Sequence, residues 1–120
     1  MKNTINKWIS LVSIQDADEV VNLYADNGLL LGTFSDKIRI GKNKIREYFE
    51  YFLAQNPKAK IINIETHTNE SDMKVFSGFY DFEVDDDNQA RKIVSARFTF
   101  VFQLINNEFK IISHHSSIIP

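Results

Sequence analysis

Ile93-Val94-Ser95-Ala96-Arg97-Phe98-Thr99-Phe100-Val101-Phe102-Gln103-Leu104 alternates without a break. Val94, Ala96, Phe98, Phe100, Phe102 and Leu104 fall on one side, and Ser95, Arg97, Thr99, Val101 and Gln103 on the other. A period of two sustained over this length specifies a strand with one buried face. Residues 73–84 repeat the pattern, with Phe76, Gly78, Tyr80, Phe82 and Val84 opposite Val75, Ser77, Phe79, Asp81 and Glu83. Residues 60–68 form a third strand, Ile62 and Ile64 on one face and Ile61, Asn63, Glu65 and His67 on the other, and residues 108–118 form the last. Polar turns at 69–72, 85–89 and 106–107 separate these strands, so everything after Pro57 reads as an antiparallel meander.

The first half reads differently. Ile5, Trp8, Ile9 and Val12 share one face at helical spacing, and Asp16 with Glu19 has the form of a capping box opening a second short helix through Val20, Val21, Leu23 and Tyr24. Asn27-Gly28 is the expected stop of that helix, Leu29-Leu30-Leu31 a short strand, and residues 33–40 a loop and extension. From Lys42, Ile45, Tyr48, Phe49, Phe52 and Leu53 draw a broad apolar stripe that ends at Asn56-Pro57. Helices followed by long antiparallel strands predict an α+β fold with the helices on one face of the sheet. Strands of about twelve residues span roughly 40 Å, longer than the helices they cover, so the sheet must curl into a cone. The wide end of a cone is a usual place for a pocket.

Composition narrows the function classes. The 120 residues are sized for a single domain over residues 1–120, and the absence of cysteine removes disulfides, thiolate metal sites and cysteine nucleophiles. A formal charge of −2 does not provide the basic field of a nucleic-acid binder. The densest basic run, Lys37, Arg39, Lys42, Lys44 and Arg46, is interrupted by Asp36 and reads as a solvated turn and first helical turn rather than a phosphate site. No signal-peptide core and no apolar run of membrane-spanning length is present, so the expectation is a cytoplasmic protein without membrane or nucleic-acid partners. The richness in Ile, Asn and Lys suggests a bacterium with an AT-rich genome. Ten phenylalanines, four tyrosines and one tryptophan remain to be housed.

Several stretches in one order resemble a known superfamily. They are residues 24–31 (YADNGLLL), Arg39-Ile40-Gly41, residues 45–53 (IREYFEYFL), residues 77–82 (SGFYDF), residues 96–102 (ARFTFVF) and His114-His115-Ser116-Ser117 before Pro120. This pattern resembles the nuclear-transport-factor-2-like, or SnoaL-like, superfamily over nearly the whole chain. More narrowly it resembles bacterial stand-alone relatives of the calcium/calmodulin-dependent protein kinase II association domain. The resemblance implies a cone-shaped, cystatin-like α+β barrel, dimers formed through the outer face of the sheet, and an internal cavity. The superfamily includes cyclases, isomerases and dehydratases alongside ligand-binding and purely oligomerising modules, so the fold does not choose among them. Matching turn lengths to the kinase hub places Tyr80, Phe100 and Ser116 where the hub has pocket arginines, so its affinity for small carboxylates is not carried over.

Neighbouring strand residues point to opposite faces, so His114 and His115 cannot serve one site together. Strand phase sends His114 and Ser116 inward and Arg97, Thr99 and His115 to the convex face, although one β-bulge would reverse part of this assignment. The expected cavity wall is Trp8, Tyr24, Tyr48, Phe52, Tyr80, Phe98, Phe100, His114 and Ser116. Two readings of that set stand side by side: a filled aromatic core with satisfied hydroxyls, or a site for a small organic ligand. The mixed face of Ser77, Phe79, Arg97, Thr99, Val101 and His115 is too apolar to stay wet and predicts a homodimer. No metal and no cofactor is expected, because three convergent ligands are not in view. Acid–base catalysis would fall to His114 or Tyr80, and it turns on whether a carboxylate reaches either one. A pure assembly module predicts instead a cavity closed by side chains and an oligomer larger than a dimer in light scattering.

Overall fold

In a computed structural model, residues 2–88 and 90–120 are described, so Gln89 of the expected loop 85–89 lies outside the described residues. The order is α1 (Lys2–Ser13), α2 (Ala17–Asn22), β1 (Tyr24–Leu31), β2 (Ile38–Ile40), α3 (Lys42–Leu53), β3 (Lys58–Asn69), β4 (Met73–Asp85), β5 (Arg91–Ile105) and β6 (Glu108–Ile118). The strands form one sheet in the order β2-β1-β6-β5-β4-β3. All pairs are antiparallel except β1 with β6, which run parallel. The α+β architecture, with helices against a curved sheet, is the one expected.

The helices form for the reasons their sequences give. Ile5, Trp8 and Val12 of α1 are fully or almost fully buried, as are Ile45, Tyr48, Phe49, Phe52 and Leu53 of α3. The Asp16 side chain accepts the Glu19 amide at 3.1 Å and caps α2. Both stripes meet the inward side chains of the strands, Phe76, Tyr80, Phe82, Phe98, Phe100 and Phe102, in one aromatic core. Burying such rings contributes about 1.5–3 kcal/mol each.

Three local readings differ from expectation. Helix α2 ends at Asn22, and Tyr24 opens β1 instead of continuing the helix. The stop is not Asn27-Gly28; that pair lies in a break of the β1–β6 register between Tyr24 and Leu29. A Cβ on Gly28 would stand 3.0 Å from the Ile111 carbonyl oxygen, so the close approach of β6 explains the glycine. In β3 the register slips between Ile61 and Asn63. Ile62 is therefore exposed, while Ile61 and Ile64 pack on the core. Finally, Ile38–Ile40, read as part of an extension, is a true edge strand paired with Leu29–Leu31.

A bulge in β6 sets the phase of the site. Val101 pairs with Ser113 and Phe102 with Ile111, so Ile112 is the extra residue. Ile111 and His114 consequently both point inward although three positions apart, at 0% and 1% exposure. The bulge lies upstream of His114, so the parity of His114, His115 and Ser116 relative to Phe98 and Phe100 is kept.

Candidate functional site

One polar chain crosses the aromatic interior. Trp8 Nε1–H donates to Tyr24 Oη at 3.1 Å, and Tyr24 Oη lies 2.7 Å from His114 Nδ1. On the other side of the ring, His114 Nε2 lies 3.2 Å from Tyr80 Oη. Tyr80 donates to Ser116 Oγ at 2.5 Å, and Ser116 meets Thr33 Oγ1. Counting donors fixes the direction. Tyr80 gives its hydrogen to Ser116, so toward His114 it can only accept; the imidazole hydrogen must sit on Nε2, and the Tyr24 hydroxyl, which accepts from the indole, donates to Nδ1. The neutral imidazole then carries its hydrogen on Nε2 and donates to Tyr80, whose hydroxyl donates to Ser116, and Ser116 to Thr33. Every polar side-chain atom from Trp8 through Ser116 in this hydrogen-bonded series has a partner, and the series ends at the half-buried Thr33 hydroxyl.

The electrostatics follow from burial. His114 stacks on Phe100 at a centroid distance of 3.9 Å and meets the edge of Trp8 at 5.3 Å. Burial first, and then the neighbouring His115, pull its pKa down to about 3. Tyr24, Tyr48 and Tyr80 are all pushed well above the usual phenol range, chiefly by desolvation. Each therefore serves as a neutral hydroxyl at ordinary pH. Both ring nitrogens of His114 are occupied by tyrosines, and no carboxylate bonds to His114 or Tyr80 among the described residues. The described residues also contain no group of three or more His, Asp or Glu arranged to hold a metal ion.

All nine residues expected on the cavity wall are buried. Trp8, Tyr48, Phe52, Tyr80, His114 and Ser116 surround an internal cavity of about 10 Å³, and Tyr24, Phe98 and Phe100 lie behind them. That is the room of roughly one water molecule. Sequence reasoning missed five of the lining residues: Leu30, Phe49 and Phe82, which read as plain core, and Gly32 and Thr33, which fall in what reads as featureless loop. A Cβ on Gly32 would sit 2.4 Å from the Tyr48 ring, so the glycine lets the loop lie flat on that tyrosine. The Phe34 amide then donates to Tyr48 Oη at 3.4 Å.

The outer face carries a separate depression. A groove of about 380 Å³ is lined by Ser77, Phe79, Arg97, Thr99 and His115, together with Asn63, Glu65 and Ser117. Val101, the sixth residue expected on this face, is half-buried one register position away, opposite Val75. Ser77 and Thr99 share a hydrogen bond of 2.7 Å, and Arg97 Nε donates to Ser117 Oγ at 3.1 Å. Register places Ile38, Leu31, His115, Thr99, Ser77 and Glu65 in one row across all six strands. Ile38 is 57% exposed and Phe79 44%, so the apolar character of this face reaches from its centre to the β2 edge.

No helix of the described residues is long and apolar enough to cross a membrane. None of the curated proteins matches the sequence. Among solved structures, a Xanthomonas campestris protein provisionally assigned as a calcium/calmodulin-dependent protein kinase II association domain is 34% identical, with a TM-score of 0.90 over 97% of this chain and 83% of the other. SalBIII, an epoxide hydrolase/cyclase-like enzyme of pyran ring formation in the polyether salinomycin, is 20% identical, with a TM-score of 0.77 over 98% of this chain and 89% of the other. An NTF2-like protein with a cystatin-like fold from Novosphingobium aromaticivorans is 10% identical, with a TM-score of 0.80 over 98% of this chain and 78% of the other. The two likenesses of lower identity concern the fold alone. Residues 1–120 match the SnoaL-like domain as a whole, and the chain belongs to that family, with a cystatin-like, NTF2-like fold.

Proposed function

We propose that the protein is a homodimeric association module that pairs through the convex face of its sheet, with an interior that serves to hold the sheet's curvature. The observation that carries this reading is the contrast between the two faces. The internal cavity beside Trp8, Tyr48 and His114 is about 10 Å³, against the 300–1,000 Å³ of ordinary ligand pockets, while the outer face offers a groove of about 380 Å³ beside exposed Phe79 and Ile38. A sheet face with this mixture of Thr, Ser, Phe and Arg suits an isologous contact, in which each residue meets its own symmetry mate or a near neighbour. The association-domain assignment of the 34% identical Xanthomonas relative supports the same reading.

The alternative, acid–base chemistry on a small molecule by His114 or Tyr80, finds less support. A proton-transfer base needs a free lone pair facing substrate, and the Nδ1 of His114 is taken up by Tyr24. Organic ligands inside the cone would also have to displace packed rings. Sedimentation equilibrium of the chain and of Thr99→Lys tests the proposal. A dimer that the lysine converts to monomer is expected; a wild-type monomer at micromolar concentration would contradict it.

A further inference from the structure

The residues lining the convex groove include one arginine and one carboxylate, and the two stand on opposite sides of it. Arg97 is on β5 and Glu65 on the edge strand β3, with β4 between them. Both are exposed. Strand spacing and rise put their Cα atoms about 12 Å apart, too far for a direct pair. Neither belongs to an ion pair among the described residues; Arg97 Nε donates only to the Ser117 hydroxyl. Further along the same face opposite charges already stand side by side, Lys60 across from Asp81 and Lys58 across from Glu83. Arg97 lies instead across from Phe79, and Glu65 across from Ser77. The groove is therefore the part of the face whose charges are not matched within the protomer.

A second copy matches them in one of two ways of stacking the sheets. Around a two-fold axis that runs along the strands between β4 and β5, β5 lies over the partner's β4 and β6 over the partner's β3. The row His115, Thr99, Ser77, Glu65 is then laid on its own reverse. Thr99 meets the partner's Ser77, and His115 meets the partner's Glu65. Arg97, one register position along, comes over the partner's Phe79 and within the combined reach of its own side chain and that of the partner's Glu65. An axis across the strands would lay β5 on β5 and β3 on β3, bringing each charge nearest its own copy, which is costly once water is excluded.

Given association through the convex face, the reading on which this rests, we infer that the protomers pair in the first orientation, with Arg97 of each held by the partner's Glu65 over the ring of the partner's Phe79. The guanidinium suits both neighbours, since it forks onto a carboxylate while its plane covers an aromatic face. Charge complementarity thus selects a second copy of this chain as the occupant of the groove and fixes how it sits.

Exchanging the charges tests the orientation. Arg97→Glu sets two acids at each contact and Glu65→Arg two bases. In sedimentation equilibrium the dissociation constant of each variant alone should rise about tenfold or more over wild type. An equimolar mixture of the two should return to within about threefold of wild type, because in the mixed dimer both contacts again join an acid to a base. Far-UV circular dichroism of each variant establishes that it is folded before the comparison is made. A dimeric wild type with either variant associating as tightly, or with folded variants that stay monomeric when mixed, would overturn the orientation and leave association through the face standing. A monomeric wild type would overturn both.

Discussion

The hydroxyl of Tyr24 lies 2.7 Å from Nδ1 of His114, across 90 positions of sequence. The contact joins β1 to β6 at the place where their parallel pairing is interrupted between Tyr24 and Leu29. Side chains thus bridge the two strands where the backbone ladder is broken. That substitution explains why a histidine is placed in so apolar an interior: it accepts from one tyrosine, donates to another, and remains neutral.

Neutrality has a pH signature. The folded chain takes up no proton at His114 until about pH 3, whereas an unfolded histidine does so near 6.5. The unfolded state therefore binds more protons below 6.5, so the stabilisation is full above that pH and drains away as pH falls toward 3. Relative to His114→Gln, the wild type should lose about 2 kcal/mol between about pH 6.5 and about pH 5. Urea midpoints for both proteins across this range check it. Parallel slopes would mean that His114 is reached by protons in the folded state.

Removing the Tyr80 hydroxyl strands two partners at once. In Tyr80→Phe, the Nε2–H of His114 loses its acceptor and Ser116 its donor. The expected cost is about 1–3 kcal/mol, with little change in overall fold. Tyr48→Phe, which loses only a 3.4 Å bond from the Phe34 amide, should cost less. Denaturant unfolding of the two variants ranks them.

Two glycines respond differently to alanine. At Gly78 a Cβ would fall 2.0 Å from the Asn63 carbonyl oxygen, which is backbone and cannot step aside without reopening the β3 slip. At Gly32 it would meet the Tyr48 ring, which is a side chain. Both substitutions overpack, by about 1–3 kcal/mol. Shortening Tyr48 to leucine should offset part of the loss only in Gly32→Ala, and a double-mutant cycle in thermal unfolding measures that coupling.

Much of this was legible in the sequence because long strands state their faces. The alternation through Phe98, Phe100 and Phe102, carried across the pairing of Phe100 with His114, is enough to send His114 inward and His115 outward. What escaped were the interruptions of period two. The β3 slip at Ile62 and the helix end before Tyr24 depend on how neighbouring strands approach, which one segment's pattern does not contain. The inward turn of Arg39, whose side chain is 18% exposed, escaped for another reason. Charge density drew the basic run together, while the alternation of Ile38-Arg39-Ile40 already set Arg39 opposite its apolar neighbours.

The absence of cysteine offers a direct test of the convex-face pairing. Single cysteines at Ser77, Thr99 and His115 sample the central row of that face, and Glu50→Cys on α3 samples an exposed position away from it. A disulfide forms only where two Cα atoms come within about 7 Å, so residues next to a two-fold axis are trapped and others are not. Under mild oxidation at least one of the three sheet variants should run quantitatively as a covalent dimer, with Glu50→Cys remaining a monomer on the denaturing gel. Failure of all three sheet positions to cross-link, or efficient trapping through Glu50→Cys instead, would contradict association through this face.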